Sequence, residues 1–257
     1  MLNLAYIDMA KQALEKAREI AISCFDNPGI ISSEFKDIKT VVDLKMNDCI
    51  IEELSRTGLP VLSEESDIQK NADLISGWVI DPLDGTFNFT RKYPCVGISI
   101  AYMEDGVPIF GLVKDIFNNI NYSSELNGTA TRNGSPIKVS SQYEFSNAVL
   151  ATGFPSGGSY ESEELLDFIS NVQAFKKIRA VGCASLMLCN VAEGVFDVYY
   201  EKGVYIWDVA AGLALVKAAG GDYSLKKMGE PFKYEVLASN FQIFEKSCQR
   251  FTKTKIS

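Results

Sequence analysis

The stretch from Trp78 to Phe89 constrains the fold most, because a short apolar run ends there in charged and turn-forming residues. Trp78 to Ile80 has the composition of a buried strand. It leads directly into Asp81-Pro82-Leu83-Asp84, where a proline separates two acids, and then into Gly85-Thr86. A turn of this kind can hold divalent cations on its carboxylates and a phosphate on its free backbone N–H groups. The stretch therefore predicts a charged turn at the edge of a sheet.

The first half of the chain has the pattern of two helices followed by consecutive strands. Apolar residues recur with helical spacing from residue 4 onward, which predicts helices over residues 2–25 and 41–57. Further strands are predicted at residues 60–62, 96–102, 108–113, 119–123 and 129–132, with a polar surface loop over residues 67–77. Because turn sequences separate the last four strands, we expect them to form an antiparallel meander.

From about residue 145 strands alternate with helices, which is typical of α/β architecture. Strands are predicted at residues 148–152, 177–181, 195–200 and 236–238, and a loop over residues 153–158. Helices are predicted at residues 161–174, 184–192, 208–219 and at the C-terminal end. We therefore expect an α+β half over residues 1–144 and an α/β half over residues 145–257, packed as one compact unit.

The composition excludes several classes of protein. The 257 residues contain no histidine, which rules out Ser-His-Asp triads, Cys-His dyads and histidine-ligated zinc, so any hydrolysis has to use carboxylates, hydroxyls, cysteines or metal-bound water. The net charge of −8 argues against a nucleic-acid surface. The six cysteines form no Cys-x-x-Cys pair and are expected to be reduced thiols. No apolar stretch approaches the ~20 residues that span a bilayer, so a soluble, cytoplasmic protein is predicted.

Four acids lie at predicted strand ends or helix starts: Glu64, Asp81, Asp84 and Asp208. Each has an ordinary structural explanation, such as a solvated loop for Glu64 and a helix N-cap for Asp208. Asp43 is likewise expected to stabilise the first turn of its helix, where the helix dipole favours a carboxylate. Taken together in a chain without histidine, such acids suit Mg²⁺, Mn²⁺ or Ca²⁺ rather than zinc. The Leu83 carbonyl, exposed by the Pro82 turn, is a further candidate ligand.

Four motifs resemble the inositol monophosphatase family, and they occur in the family's order and span most of the chain. Asp81-Pro82-Leu83-Asp84-Gly85-Thr86 with Asn88-Phe89 resembles its first signature, and Trp207-Asp208-Val209-Ala210-Ala211-Gly212 its second. Ser63 to Ser66 resembles the segment with its Glu-Glu metal ligand, and Thr40 to Asp43 its Val-Thr-x-x-Asp segment. The resemblance implies a layered α-β-α-β-α sandwich, with an antiparallel sheet in the first half and a mixed sheet in the second.

The resemblance also implies hydrolysis of a phosphate monoester by direct attack of water, with two or three Mg²⁺ ions that Mn²⁺ or Ca²⁺ could replace. It assigns the first metal to Glu64, Asp81 and the Leu83 carbonyl. It assigns the second metal to Asp81, Asp84 and Asp208, with Glu64 helping to hold a weaker third ion. Asp43 and Thr86 match the catalytic pair that orients and deprotonates the water. The phosphate and substrate positions are matched by Gly85, Thr86, Gly182, Cys183, Ala184, Glu201 and Asp208.

Glu201 matches a position that accepts hydrogen bonds from substrate hydroxyls, which suits a polyol such as inositol and disfavours a second phosphate. Two positions depart from the family pattern. Cys183 stands where a threonine or serine is common, and neither Lys36 nor Lys39 aligns cleanly with the family lysine. We therefore predict an inositol or sugar-alcohol monophosphatase. The alternatives are a 3′(2′),5′-bisphosphate nucleotidase or fructose-1,6-bisphosphatase, or a regulatory, protein-binding family member.

The expected partner is a small phosphorylated polyol or sugar, with no nucleic-acid polymer and no membrane. Members of the family are commonly homodimers, so the resemblance also implies a homodimer.

Overall fold

The structure is a computed structural model that describes residues 2–34, 37–66, 76–125, 128–154 and 162–251. It begins with helices α1 (Leu4–Cys24) and α2 (Val41–Ser55), which are joined by a hairpin of β1 (Ile30–Glu34) and β2 (Asp37–Thr40). Side chains cap both helix starts: Asn3 accepts from the Tyr6 N–H at 3.0 Å and Thr40 from the Val42 N–H at 3.1 Å. The two predicted helices are confirmed, and the hairpin between them was not predicted.

In the described part of the chain, seven strands form the first sheet. They are β3 (Val61–Ser63), β4 (Gly77–Asp84), β5 (Gly97–Glu104), β6 (Val107–Asp115), β7 (Ile120–Ser124), β8 (Ala130–Arg132) and β9 (Ser135–Pro136), in that spatial order. β3 pairs parallel to β4 and all later neighbours are antiparallel. The predicted meander is confirmed. β9 and the short helix α3 (Thr86–Thr90) were missed.

Five described strands form a second, mixed sheet. They are β10 (Val149–Thr152), β11 (Lys177–Arg179), β12 (Val198–Tyr205), β13 (Gly221–Lys227) and β14 (Lys233–Asn240), in the order β11-β10-β12-β14-β13. The helices of this half are α4 (Ser162–Val172), α5 (Ala184–Ala192), α6 (Ile206–Ala218) and α7 (Phe241–Phe251). β13 was not predicted. β12 begins three residues later than predicted and continues five residues further, and α6 begins two residues earlier than predicted.

Side chains of the central strands alternate between separate cores, as the two-residue period of a strand requires. Trp78 and Ile80 on β4 pack with α1 and α2, whereas Val79 faces α5 and α6. In the second sheet, Val236 on β14 faces α5 and α6, whereas Leu237 packs with α4 and α7. The layers are therefore α1–α2, first sheet, α5–α6, second sheet and α4–α7, which confirms the predicted α-β-α-β-α sandwich.

Small residues allow α6 to lie very close to its neighbours. A Cβ on Gly111 of β6 would stand only 2.2 Å from the Ala211 carbonyl oxygen, and one on Gly212 would stand 2.4 Å from the Leu188 Cβ of α5. The glycines and alanines of this region thus let α6 fit between the first sheet and α5. This packing fixes the start of α6, which carries Asp208.

Some sequence predictions fall on residues outside the described ranges. The predicted loop at residues 67–77 is described only at Ser76 and Gly77, and the loop at residues 153–158 only at Gly153 and Phe154. The helix predicted from residue 161 is described from Ser162. Within the described residues, no helix has both the length and the apolar composition to cross a bilayer. The division into halves at residues 144 and 145 stays a prediction.

Candidate active site

The Asp43 carboxylate serves two neighbours with different oxygens. Its Oδ2 accepts hydrogen bonds from the N–H (2.8 Å) and the hydroxyl of Thr40, which is the capping role that helix rules predict. Its Oδ1 accepts a hydrogen bond from Thr86 Oγ1 at 2.9 Å. Burial raises the pKa of Asp43, while the bonds from Thr40 and Thr86 oppose that rise. The structure therefore brings Asp43 and Thr86 together from the starts of α2 and α3.

The turn between β4 and α3 is compact. Thr86 Oγ1 also lies 2.9 Å from the Leu83 carbonyl oxygen, and its single hydrogen can serve only one acceptor at a time. Gly85 has a φ of 92°, and a Cβ there would stand 3.0 Å from the Cys95 carbonyl oxygen. Glycine is therefore required by both conformation and space. The first N–H groups of a helix have no acceptor within it, so the Gly85 and Thr86 N–H groups stay candidates for a phosphate contact.

Asp84 is held by the start of α5. Its Oδ2 accepts from the Ser185 N–H at 2.7 Å, from the Ser185 hydroxyl and from the Cys183 thiol at 3.0 Å. Its Oδ1 accepts from the Ala184 N–H at 3.3 Å. Burial nevertheless raises the pKa of Asp84. The structure thus places Gly182, Cys183 and Ala184 beside a predicted metal ligand that protein donors already engage. Ser185 was not predicted, although a hydroxyl residue at a helix start is a recognisable signal.

Asp81 and Asp208 share one electrostatic environment with Glu64 and Asp84. Asp81 is buried, and its pKa is raised well above its usual value, first by burial and then by the charges of Glu64 and Asp84. Asp208 is the third residue of α6 rather than the predicted N-cap, and it accepts from the Tyr205 N–H at 3.0 Å. Its pKa is also raised well above the usual value by burial, Glu64 and Asp84.

Glu64 follows β3, where its N–H donates to the Ile80 carbonyl of β4 at 3.2 Å. The pKa of Glu64 is raised to about 8, first by burial of its carboxyl group and then by the charges of Glu65 and Asp43, against a hydrogen bond from Asp81. The residue as a whole is exposed, so water screens part of this effect. The carboxyl groups of Glu64 and Asp81 are therefore close neighbours.

The donor set of these acids fits a divalent cation. Among the described residues, no lysine or arginine forms an ion pair with Glu64, Asp81, Asp84 or Asp208. A cation would relieve the mutual repulsion of these carboxylates, and oxygen ligands suit Mg²⁺. Across the same ranges, however, no group of three or more acidic or cysteine side chains is arranged to hold a metal ion. These acids therefore have the chemistry of a cation site but not the geometry of one that is already formed.

Glu201 on β12 lies beside this cluster. The buried carboxylate accepts from the Tyr199 hydroxyl at 2.8 Å through Oε2. Burial, with a contribution from the charge of Asp84, raises the pKa of Glu201 to about 7. A Cβ on Gly153 would stand 2.6 Å from the other oxygen, Oε1. The structure therefore holds the predicted substrate residue between Tyr199 and Gly153.

Asn88 was noted in the sequence without a role, and the structure assigns it one. Its side-chain amide lies 2.9 Å from the Cys95 carbonyl oxygen, 2.7 Å from that of Val181 and 3.2 Å from that of Gly182. The amide thereby ties α3 to the loop before α5. The positions of residues almost a hundred apart in sequence could not be anticipated from the motif alone.

Of the two lysines considered for the family position, Lys39 forms an ion pair with Glu65, next to Glu64. Lys36 lies outside the described residues, so the assignment of the family lysine stays open. The Ser63 hydroxyl donates to Asn47 Oδ1 at 2.6 Å and so fixes the end of β3 on α2. Neither contact was predicted.

Known proteins resemble this chain over most of its length. The protein-family model described as "Inositol monophosphatase family" matches residues 3–252 of this chain. Inositol monophosphatase 1 of Rattus norvegicus is 31% identical over 253 residues, which cover 93% of this chain and 89% of the relative. Nus factor SuhB of Xylella fastidiosa is 35% identical over 195 residues, covering 75% and 70%. The crystal structure of the extragenic suppressor protein suhB from Bartonella henselae has a TM-score of 0.84 at 30% identity and covers 97% of this chain and 99% of that chain.

Proposed function

This chain belongs to the inositol monophosphatase family, and from that premise we propose that it is a Mg²⁺-dependent hydrolase of inositol monophosphate or a similar polyol or sugar phosphate. The observation that carries the proposal is the 2.9 Å hydrogen bond from Thr86 Oγ1 to Asp43 Oδ1, set beside the cluster of four acids. A hydroxyl paired with a carboxylate is what is needed to activate a water molecule.

Thr86 and Asp43 form the proposed proton path. When the Thr86 hydrogen points to Asp43 Oδ1, the Thr86 oxygen keeps its lone pairs for a hydrogen bond from water. The water proton passes to the Thr86 oxygen as the Thr86 hydrogen moves to Asp43. Because burial raises the pKa of Asp43, this carboxylate is a better base than an exposed aspartate.

The acidic cluster is the proposed metal site. Two or three Mg²⁺ ions would be held by Glu64, Asp81, Asp84, Asp208 and the Leu83 carbonyl. When bound, Mg²⁺ supplies positive charge that offsets the charge of the phosphoryl oxygens and of the leaving oxygen. The N–H groups of Gly85 and Thr86 would orient the phosphate.

Glu201 supports a polyol as the group that carries the phosphate. Its carboxyl group, with a pKa of about 7, can accept hydrogen bonds from hydroxyls when ionised and also donate one when protonated. A second phosphate at this place would meet the acidic surroundings of Glu201 and Asp84, which disfavours a bisphosphate substrate.

Phosphate release measured with Mg²⁺ and with a chelator tests the proposal. The substrates are inositol 1-phosphate, glycerol 2-phosphate, fructose 1,6-bisphosphate and adenosine 3′,5′-bisphosphate. We expect Mg²⁺-dependent turnover that favours the first two. Asp26→Asn, which alters an exposed acid that pairs with Lys92, is the matched control for substitutions within the cluster and should behave like the wild type.

The possible results separate the candidate functions. Absence of Mg²⁺-dependent turnover on all four compounds would overturn the phosphatase proposal and favour a regulatory, protein-binding role, for which the name of the Xylella fastidiosa relative is the support. Preference for the nucleotide or the sugar bisphosphate would replace the polyol by that substrate. The homodimer and the cytoplasmic location stay predictions.

A further inference from the structure

A cavity of about 540 Å³ opens to solvent between the two sheets, at the start of α6. Its apolar lining comes from β3, β4, β5, α6 and the β13–β14 hairpin, and it includes Leu62, Val79, Met103, Ile206, Phe232 and Tyr234. These side chains belong to the core between the sheets or pack against it. The volume and the apolar lining are typical of pockets that bind small organic molecules.

The cavity lies beside the candidate active site without being part of it. None of the residues that line the cavity is a candidate metal, phosphate or substrate residue. Val79 of β4 stands two positions before Asp81, and two strand residues span about 7 Å. The apolar walls between the sheets offer no carboxylate for a cation and no cation for a phosphate. The cavity therefore suits a different class of ligand.

Hydrogen bonds fix the walls of the cavity. The Ile206 N–H donates to the Phe232 carbonyl oxygen at 2.9 Å and so holds the hairpin on α6. The Asp105 N–H donates to Ser76 Oγ at 2.9 Å, which ties the β5–β6 turn to the residue before β4. Phe232 has a φ of 59°, a conformation that is uncommon for residues other than glycine and that clusters at functional sites. The cavity is therefore preformed, so binding does not require an opening step.

Among the described residues, one polar side chain of the lining, Tyr234, has no hydrogen-bond partner in the protein. Tyr234 is only 8% exposed, and burial raises the pKa of its hydroxyl. An enclosed hydroxyl without a partner is unfavourable. A ligand that carries a hydrogen-bond acceptor would therefore be stabilised at this place.

Charged side chains stand at the exposed mouth of the cavity, and their charges balance. Lys227, Asp105 and Glu230 are all exposed there. Glu230 forms an ion pair with Lys233 at 2.9 Å, which leaves one positive and one negative side chain at the mouth. The mouth therefore favours neither an anion nor a cation, and an uncharged ligand fits best.

We propose that the cavity is a binding site for an uncharged, amphipathic aromatic molecule that carries an acceptor oxygen. The ring lies between Met103 of the first sheet and Phe232 of the hairpin, where sulfur–aromatic and aromatic contacts are favourable. The oxygen accepts a hydrogen bond from the Tyr234 hydroxyl. This site does not depend on the phosphatase function proposed above, because it shares no residue with the candidate active site.

Equilibrium binding of PRODAN, a fluorescent naphthyl ketone without charge, tests the proposal on the full-length protein. We expect saturable binding of one probe per chain, with the blue-shifted emission of an apolar environment. Mg²⁺ with inositol 1-phosphate should not displace the probe. Absence of saturable binding would overturn the proposal, and so would displacement, because the probe would then occupy the acidic cluster. The measurement needs no phosphate release, so its result stands if the phosphatase proposal fails.

Two pairs of variants locate the probe. Tyr234→Phe removes only the hydroxyl, so the protein should unfold at the wild-type temperature while probe affinity falls by about 5-fold. Tyr223→Phe, on the strand next to Tyr234 but outside the lining, should bind like the wild type. A Cβ on Gly229, which lines the cavity, meets nothing within 4 Å, so Gly229→Trp should obstruct binding and Gly229→Ala should not.

The variants also define the results that contradict the site. Unchanged affinity in Tyr234→Phe would refute the assigned hydrogen bond. Unchanged affinity in both Tyr234→Phe and Gly229→Trp would place the probe outside this cavity and overturn the proposal. Equal losses in Tyr223→Phe and Tyr234→Phe would do the same, because only one of these side chains lines the cavity.

Discussion

Replacing Thr86 by valine separates the proposed proton path from the helix cap that shares the same aspartate. Valine keeps the shape of threonine but has no hydroxyl, so Asp43 Oδ1 loses the 2.9 Å hydrogen bond that Thr86 Oγ1 donates to it. The Thr40 bonds to Asp43 Oδ2 remain. The cap of α2 is therefore intact in Thr86→Val, and the lost group is the one that would accept a proton from water.

The structure gives different magnitudes for activity and for stability. Loss of one part-buried hydrogen bond lowers the free energy of unfolding by about 1 kcal/mol, which corresponds to a Tm decrease of about 2–4 °C in a chain of this size. Loss of general-base assistance lowers kcat by about 10²–10⁴-fold. We therefore expect Thr86→Val to be nearly as stable as the wild type and almost inactive.

Thr40→Val is the matched control. It removes the hydroxyl that accepts from the Val42 N–H and donates to Asp43, but the Thr40 N–H can still bond Asp43. The loss of an N-cap lowers the free energy of unfolding by about 0.5–2 kcal/mol, whereas kcat should stay close to the wild-type value. Steady-state phosphate release and thermal unfolding, with Thr86→Ser as the variant that retains the hydroxyl, measure both effects. Equal kcat losses in the two valine variants, or near-normal turnover in Thr86→Val, would refute the proton path.

Three further perturbations test other parts of the site. Asp81→Asn should leave the metal-free protein at least as stable as the wild type, because it relieves repulsion with Glu64, but should remove most turnover. In the wild type, Mg²⁺ at 100 times its Kd should raise the free energy of unfolding by about 2.7 kcal/mol and Tm by about 5–10 °C. A similar rise in the Asp81→Asn variant would contradict the role of Asp81 as a metal ligand. Gly153→Ala places a Cβ 2.6 Å from Glu201 Oε1 and so displaces the Glu201 carboxylate. KM for inositol 1-phosphate should therefore rise by a larger factor than kcat falls. An unchanged KM would mean that Glu201 does not contact the substrate. Asn88→Ala leaves the carbonyl groups of Cys95 and Val181 without their side-chain donor. Urea denaturation should therefore show a free energy of unfolding lower by about 1–3 kcal/mol, and an unchanged value would mean that water replaces the amide.

The layers could be predicted because strand periodicity and burial are local properties of the sequence. Trp78, Val79 and Ile80 form a continuous apolar run, and the structure buries the run on both faces, with Val79 opposite the other two. β13 gave a much weaker signal. Its alternation has only two apolar positions, Tyr223 and Leu225, which pack against the core. The strand pairs along its whole length with β14. Tertiary pairing therefore decides the conformation of this edge.

The acids of the site could be proposed from the sequence, but their hydrogen-bond partners could not. Asp43 had two competing explanations, a helix cap and a catalytic residue, and the structure accommodates both because each carboxylate oxygen has its own lone pairs. Asp84 differs from Asp43 because its hydrogen-bond donors are remote in the sequence. Its donors at Ser185 and Cys183 lie about a hundred positions later in the chain, and no local rule connects them.

The helix starts explain how the fold tolerates so many buried acids. Asp43 and Asp208 lie in the first turns of α2 and α6, and Asp84 accepts from the first N–H groups of α5. Each helix start offers unpaired N–H groups and a favourable dipole, which offset part of the desolvation that raises the carboxyl pKa values. Asp81 has no helix start and accepts locally from the Leu83 N–H at 2.9 Å. Its pKa is raised well above the usual value, so a bound cation should offset the cost of burying the Asp81 carboxylate.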